Sequence, residues 1–270
     1  LDVLANADTP ADAERAVRFG AMGIGLCRTE RMFNAVERLP IVVEMIVADT
    51  PADRQRALDK LLPIQREDFA GIFRAMAPRP VTIRLLDPPM HEFLPGERQL
   101  VEELERLRHL RETVNGLQVL HDSVDFLYRA REVHPQVALP AEPALVDEVI
   151  AKKEAMLKKV RALFEVNPML GHRGVRLGLT SPEIYRMQIR AILEAAAECR
   201  REGLEVHPEI MVPQVCTAQE LKTVKGWVDE IRAEVERDCG FTLDVKFGSM
   251  LEVVRACLRA DALAADAEFF

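Results

Sequence analysis

The sequence predicts an α/β fold: a (β/α)8 TIM-type barrel, incomplete, with about six β/α units present and a helical insertion after the third strand. Three observations predict it. Short apolar runs of period-two character alternate with amphipathic helical tracts, the order that gives a parallel sheet. The first strand is followed by "LANADTPADA", which lacks the glycine-rich turn that an open doubly wound sheet would want there. Polar residues gather at the carboxyl ends of the strands, where barrels carry function: Arg28, Thr29 and Glu30, then Arg84 and Asp87, then Gln214, then Glu252.

The elements follow in order. "LDVLANAD" is the first strand. "TPADAERAVRFG" is a helix with Ala13, Ala16 and Val17 inward and Gly20 as its stop. "MGIGLCRTE" is the second strand. A helical tract from Ala52 to Met76 carries Leu58, Leu61, Leu62, Ile64, Phe69, Ile72 and Phe73, and Pro63 is expected to kink or split it. "VTIRLLD" is the third strand. Val81, Ile83 and Leu85 alternate with Thr82, Arg84 and Leu86, so Arg84 falls near the strand's end, and Pro88 and Pro89 then stop the ladder. "HRGVRLGL" reads as the fourth strand. "SPEIYRMQIRAILEAAAECRREG" is a helix whose Ser-Pro-Glu start supplies an N-cap and a proline at the first helical position. "EIMVPQV" is the fifth strand, with helix "AQELKTVKGWVDEIRAEVERDCG" after it. "DVKFGSMLEV" is the sixth, with "RACLRADALAADA" behind it.

Residues 97–160 break this rhythm. They are charged and helical, with Leu100, Leu104, Leu107 and Val114 on one face, and Val149, Met156, Val160 and Leu163 marking a second helix; Pro135, Pro140 and Pro143 lie between. We read them as a helical insertion in one barrel domain spanning 1–270.

Composition narrows the function. A net charge of −8 and a pI near 5.4 leave no basic stripe for nucleic acid, so an anion site must be a local cluster. No apolar run reaches transmembrane length, and we expect no membrane partner. The five cysteines are odd in number and lack C-x-x-C spacing, which suits free thiols in the cytoplasm. "LDVLANADTP" has neither an initiator Met nor a signal-peptide pattern, and reads as a piece of a longer chain.

The chemistry-bearing candidates are arginines. Arg28 ends the second strand, Arg84 the third, and Arg173 and Arg176 lie on "GHRGVRL". Any one of them is accounted for by a salt bridge to Glu30, Asp87 or Glu92. Together, at one mouth, they suit a small ligand carrying phosphate and carboxylate, because a guanidinium binds both through two parallel donors. Glu252, at the end of an apolar strand, is either a Mg²⁺ ligand or the partner of an arginine of the mouth; if buried, it needs a cation or hydrogen bonds. The six histidines show no metal spacing, though His91 and His172 flank the arginine motifs.

"GIGLCRTERMF", "LLPIQREDF", "VTIRLLDPPMHEFLP", "NPMLGHRGVRL" and "FGSMLEVVRA" together closely resemble the C-terminal, phosphoenolpyruvate (PEP)-binding domain of the pyruvate, phosphate dikinase family. The related enzyme I of the sugar phosphotransferase system and PEP synthase share the architecture but not "RLLDPPMHEF". The resemblance implies a TIM barrel in which PEP phosphorylates a histidine on a separate domain of the same enzyme, leaving pyruvate. The full reaction interconverts ATP, pyruvate and phosphate with AMP, PEP and pyrophosphate. It implies that Arg28 and Arg84 are catalytic, that Arg28, Arg84, Arg173 and Glu252 bind substrate, that Glu252 ligates Mg²⁺, and that a homodimer is among the partners. The family motif continues beyond the paired Phe with "GTND" and a later proton-donating cysteine, and none of the five cysteines here matches that one. Val254 stands where the family has Pro, and Ser249 where it has Thr. Residues 1–270 alone are therefore expected to be inactive. The rival reading is a non-catalytic truncated barrel acting as a binding or assembly module.

Overall fold

A computed structural model describes residues 2–129, 143–164 and 166–270. Two compact units emerge: Leu1–Phe93 with Glu165–Phe270, and Leu94–Phe164.

The larger unit is built on a parallel sheet. Its elements begin β1 (Leu4–Asn6), α1 (Pro10–Arg18), β2 (Gly23–Arg28), α2 (Thr29–Phe33), α3 (Leu39–Val47), α4 (Pro51–Met76) and β3 (Pro80–Arg84), with a 3-10 turn at Met90–Phe93. The smaller unit contributes α5 (Glu97–Arg129) and α6 (Pro143–Leu163). The larger unit resumes with α7 (Val175–Thr180), α8 (Pro182–Arg201), β4 (His207–Val212), α9 (Ala218–Cys239), β5 (Lys246–Ser249), α10 (Val254–Leu258) and α11 (Ala260–Leu263). The sheet has five strands in the order β1-β2-β3-β4-β5, every neighbouring pair parallel, and it is not closed. Parallel strands put all carboxyl ends at one edge, which is what brings Arg28 and Arg84 near one another.

The long helices form where their caps and apolar stripes agree. "TPAD" occurs twice, and both times the Thr hydroxyl accepts from the Asp backbone N–H at 3.1 Å while the Pro takes the first helical turn, at α1 and α4. Thr217 and Glu220 form a reciprocal capping box at α9, and Gly240 ends that helix in the left-handed conformation. Ser181 does occupy the N-cap of α8, but its hydroxyl makes no capping bond.

Three expectations need correction. The segment "HRGVRLGL" is not a strand. Its last residues form α7, and β3 pairs directly with β4 from Pro80↔His207 to Arg84↔Met211, so no place in the sheet is left for it. Gly174, at φ +56°, takes a conformation open mainly to glycine, and Val175, Leu177 and Gly178 then turn inward at helical spacing. Five strands, not six, result among the described residues. Pro63 does not split α4. The stripe Leu58, Leu61, Phe69, Ile72, Phe73 and Met76 is buried on both sides of it, and that packing outweighs one missing backbone bond. "RACLRADALAADA" forms two short helices, α10 and α11, broken at Arg259.

The sheet's register continues past β5. Phe269 bridges Gly248 in parallel, its carbonyl accepts from Ser249 N–H at 3.2 Å, and Glu268 N–H donates to Phe247 O at 2.8 Å. A Cβ at Gly248 would lie 2.5 Å from the Phe269 carbonyl oxygen and 2.7 Å from its ring. Gly248→Val is therefore expected to lower stability by about 1–3 kcal/mol through overpacking. An unchanged urea midpoint would show that residues 268–270 are not seated there.

In the smaller unit Leu104, Val146 and Ile150 form a buried cluster with Leu107 and Leu157 packed on it. Pro143 opens α6, and Pro135 and Pro140 lie outside the described residues. Among the described residues no helix is long and apolar enough to cross a membrane.

Candidate active site

β2 and β3 pair so that Arg28 faces Arg84 in register, and the same rung continues through Met211 to Gly248. Register partners in a parallel pair project to the same face of the sheet. Arg28 and Arg84 are thus neighbours at one strand edge. Thr29 ties the two strand ends by donating its hydroxyl to Arg84 O at 3.1 Å.

Asp87 lies at the centre. It is 1% exposed, and its Oδ2 is 2.9 Å from Arg84 Nη1 and 2.6 Å from Arg173 Nη2. Arg173 Nε adds a second bond to Oδ1 at 3.1 Å, making the two-pronged guanidinium–carboxylate geometry. Arg84 also donates from Nη2 to Glu30 Oε1 at 2.5 Å. Burial works against the charge of Arg173, but the Asp87 bond and the charges of Asp87, Glu252 and Glu92 outweigh it and hold its pKa above the ordinary value. The guanidinium stays charged at any working pH.

Arg173 reaches this place from a turn, not from a strand end. The turn is held on the strand ends by backbone bonds, Gly174 N–H to Asp87 O at 2.9 Å and Val175 N–H to Pro213 O at 3.0 Å. A Cβ at Gly174 would meet the Gln214 side chain at 2.7 Å, so the close approach also needs glycine there.

Arg28 is held more loosely. Its backbone N–H donates to Asp8 Oδ1 at 2.7 Å, but its Nη1 is 3.6 Å from Asp8 Oδ2, beyond a hydrogen bond. Arg31 Nε shares that carboxylate at 3.1 Å. Sequence reasoning missed Asp8; its only signal was a carboxylate two residues past the end of β1.

Glu252 is exposed, not buried. It lies three residues beyond β5, and its Oε1 accepts from Gln214 N–H at 2.8 Å. Gln214 takes φ 60°, and its Oε1 accepts from Arg176 Nη2 at 3.2 Å. Glu252 thus makes no ion pair with an arginine of the mouth among the described residues, though its charge is felt at Arg173. It is an oxygen donor of the right kind for a hard cation, and it fits as one ligand. No group of three His, Cys, Asp or Glu among the described residues could hold a metal ion by itself. His172 bonds Thr180 through Nε2 at 2.6 Å, and His91 lies in the 3-10 turn.

Arg84 Nε and Glu30 Oε2 are among the buried polar atoms without a hydrogen-bond partner among the described residues. Oriented guanidiniums at the carboxyl edge of a parallel sheet are an arrangement that suits an anion in an α/β domain.

The chain belongs to the PEP-utilising enzymes, whose PEP-binding domain profile matches residues 1–270. It is 46% identical over 271 residues to a pyruvate, phosphate dikinase of Entamoeba histolytica, 44% over 270 residues to one of Giardia intestinalis, and 46% over 272 residues to a chloroplastic one of Flaveria pringlei. Each alignment covers 100% of this chain but 27%, 26% and 24% of the relative, so the chain spans about a quarter of their length.

Proposed function

We propose that this chain is the PEP/pyruvate-binding part of a pyruvate, phosphate dikinase. In that reading it serves reversible phosphoryl transfer between PEP and a phosphohistidine on another domain of the same enzyme. The observation that carries the reading is the meeting of Arg84 and Arg173 on one carboxylate, with Arg28 in register beside them. The 44–46% identity to dikinases supports it. The sheet, on this reading, is part of a closed (β/α)8 barrel, with residues 97–160 inserted after β3. The parallel bridge between Phe269 and Gly248 and the family membership support that closure.

The roles follow from charge. Phosphoryl transfer requires neutralised oxygens and in-line positioning more than covalent help. Arg28, whose nearest carboxylate is beyond hydrogen-bond distance, is the donor freest to turn to the ligand. Arg84 and Arg173 are pre-oriented by Asp87 and Glu30, so they bind phosphate and carboxylate oxygens with little reorganisation. Glu252 would be the protein's ligand to Mg²⁺, which when bound offsets charge on the phosphoryl and enolate oxygens. Residues 1–270 alone would bind ligand without turnover. A homodimer and a cytoplasmic location complete the proposal, and the five free thiols suit a reducing compartment.

The test is to incubate the full-length polypeptide carrying this segment with Mg²⁺ and PEP labelled on phosphorus. We expect acid-labile label on a histidine and one pyruvate released per label. Absence of PEP-dependent label in a folded protein would refute the assignment.

A further inference from the structure

Helix α8 carries two buried polar side chains aimed at the backbone between Arg84 and Asp87. Gln188 Oε1 accepts from Leu86 N–H at 2.8 Å. Three residues earlier, the Tyr185 hydroxyl donates to Leu86 O at 3.0 Å. Residues three apart share a helix face, so one face of α8 grips both polar groups of a single residue. That residue is where the ladder ends: Leu85 N–H still bonds Met211 O at 3.0 Å, and Pro88 and Pro89 beyond have no N–H to offer. Leu86, Tyr185 and Gln188 are all 0% exposed, so water has no access to replace either bond.

Tyr185 is itself fixed. A Cβ at Gly178 would lie 2.5 Å from its ring, so α7 closes against the ring only through glycine. Burial, reinforced by the charge of Asp87, raises the pKa of the phenol, which keeps the hydroxyl a donor.

We propose that Tyr185 and Gln188 are positioning residues for the anion site: by clamping Leu86 they set where Asp87 stands, and Asp87 sets the guanidinium planes of Arg84 and Arg173. The inference rests on the PEP reading given above and adds to it residues that touch no ligand. Its force comes from the distances. Asp87 Oδ2 is within 2.9 Å of both arginines, and a displacement near 1 Å breaks at least one pair; misplacement of that size can cost about a hundredfold in rate.

The experiment uses the full-length polypeptide with Tyr185→Phe and Gln188→Met, alone and combined with Arg84→Lys. Steady-state PEP kinetics are measured together with thermal unfolding and amide exchange at Leu86. We expect kcat to fall roughly ten- to a hundredfold in each single variant while KM moves little, and the Leu86 amide to exchange faster in Gln188→Met. Combined with Arg84→Lys, Tyr185→Phe should cost less than it does alone, because one of the two guanidinium forks it aligns is already gone. A purely structural role predicts the opposite: lower thermal stability, unchanged kcat well below the transition, and losses that add in full. Either unchanged kcat or full additivity overturns the proposal. If Gln188→Met does not fold, Tyr185→Phe, which removes one oxygen atom, decides alone. Failure of the PEP reading looks different: the parent protein then shows no PEP turnover and Arg84→Lys changes nothing, and the positioning role falls with it. Failure of the clamp alone leaves the Arg84→Lys loss intact.

Discussion

Replacing Asp87 with alanine is expected to destabilise the fold by about 3–5 kcal/mol, the cost of removing one member of a buried charge network. Asp87 is 1% exposed, and its two guanidinium partners are only 12% and 13% exposed. The loss falls unevenly. Arg84 keeps Glu30 at 2.5 Å, whereas Arg173 keeps only a weak contact from Nη1 to the Met169 sulfur at 3.7 Å. The alanine variant therefore strands one buried cation, and a stranded charge costs more than the pair ever contributed. The double variant Asp87→Ala with Arg173→Met should recover part of the loss, because an apolar side chain of similar length leaves nothing to desolvate. Asp87→Asn should fall between, since it keeps an acceptor for Arg173 Nε but not the charge. Urea denaturation of the four proteins checks this order. Equal stability of Asp87→Ala and the parent would mean that both arginines are solvated, and that Asp87 does not organise the mouth.

What the sequence disclosed follows from how local each signal is. Helices α4, α8 and α9 were legible because a buried apolar stripe and a long uninterrupted length coincide within one segment. Arg28 and Arg84 were legible because each lies near the carboxyl end of a short apolar run, and parallel strands put those ends at one edge. "HRGVRLGL" misled because Val175 and Leu177 fit a period of two as well as a helical turn. What decided between them was the φ of Gly174 and a place already filled by β4, neither visible in the segment itself. The exposure of Glu252 was not legible for a similar reason: β5 stops at Ser249, three residues before it, and the backbone N–H that it accepts belongs to a residue 38 positions away. The support of the site was illegible throughout. Arg28 N–H finds Asp8 across 20 residues and Leu86 finds Gln188 across 102, and no periodicity links such pairs. The family resemblance did carry Arg173 to the mouth, but as a strand residue, whereas it arrives from a turn.

If the proposed anion site is right, the arrangement of Asp87, Arg84 and Arg173 is how an acidic protein would present cations to an anion. Each central arginine is held by carboxylates on one side, so its orientation is set before a ligand arrives and its charge is only partly spent. Arg84 is the extreme case. Nη1 is with Asp87, Nη2 is with Glu30, and Nε is buried without a partner. On the proposed reading, an incoming phosphate or carboxylate meets a fork that Glu30 and Asp87 have already aimed, so little reorganisation is needed as charge develops.

Arg84→Lys in the full-length polypeptide is accordingly expected to lower kcat/KM for PEP by about 2–4 kcal/mol, the order of the loss of one preorganised donor, or roughly 30- to 900-fold. Lysine keeps the charge but offers a single nitrogen on a flexible stem, and it cannot bridge two carboxylates while presenting a planar donor pair to the ligand. The loss should fall chiefly on kcat, because long-range attraction of the anion needs only charge, whereas alignment of the transferring group needs the fork. Stability should fall much less than in Asp87→Ala. The ammonium can still neutralise one of its two carboxylates, and Arg173 continues to hold Asp87. Steady-state kinetics with PEP, calorimetric binding of PEP and urea denaturation separate these terms. A folded Arg84→Lys protein that forms PEP at the parent's rate would make Arg84 a structural tie between Glu30 and Asp87. The ligand's phosphate would then have to be held by Arg28 and Arg173 alone, and the pairing of Arg84 with two carboxylates would count as its whole role.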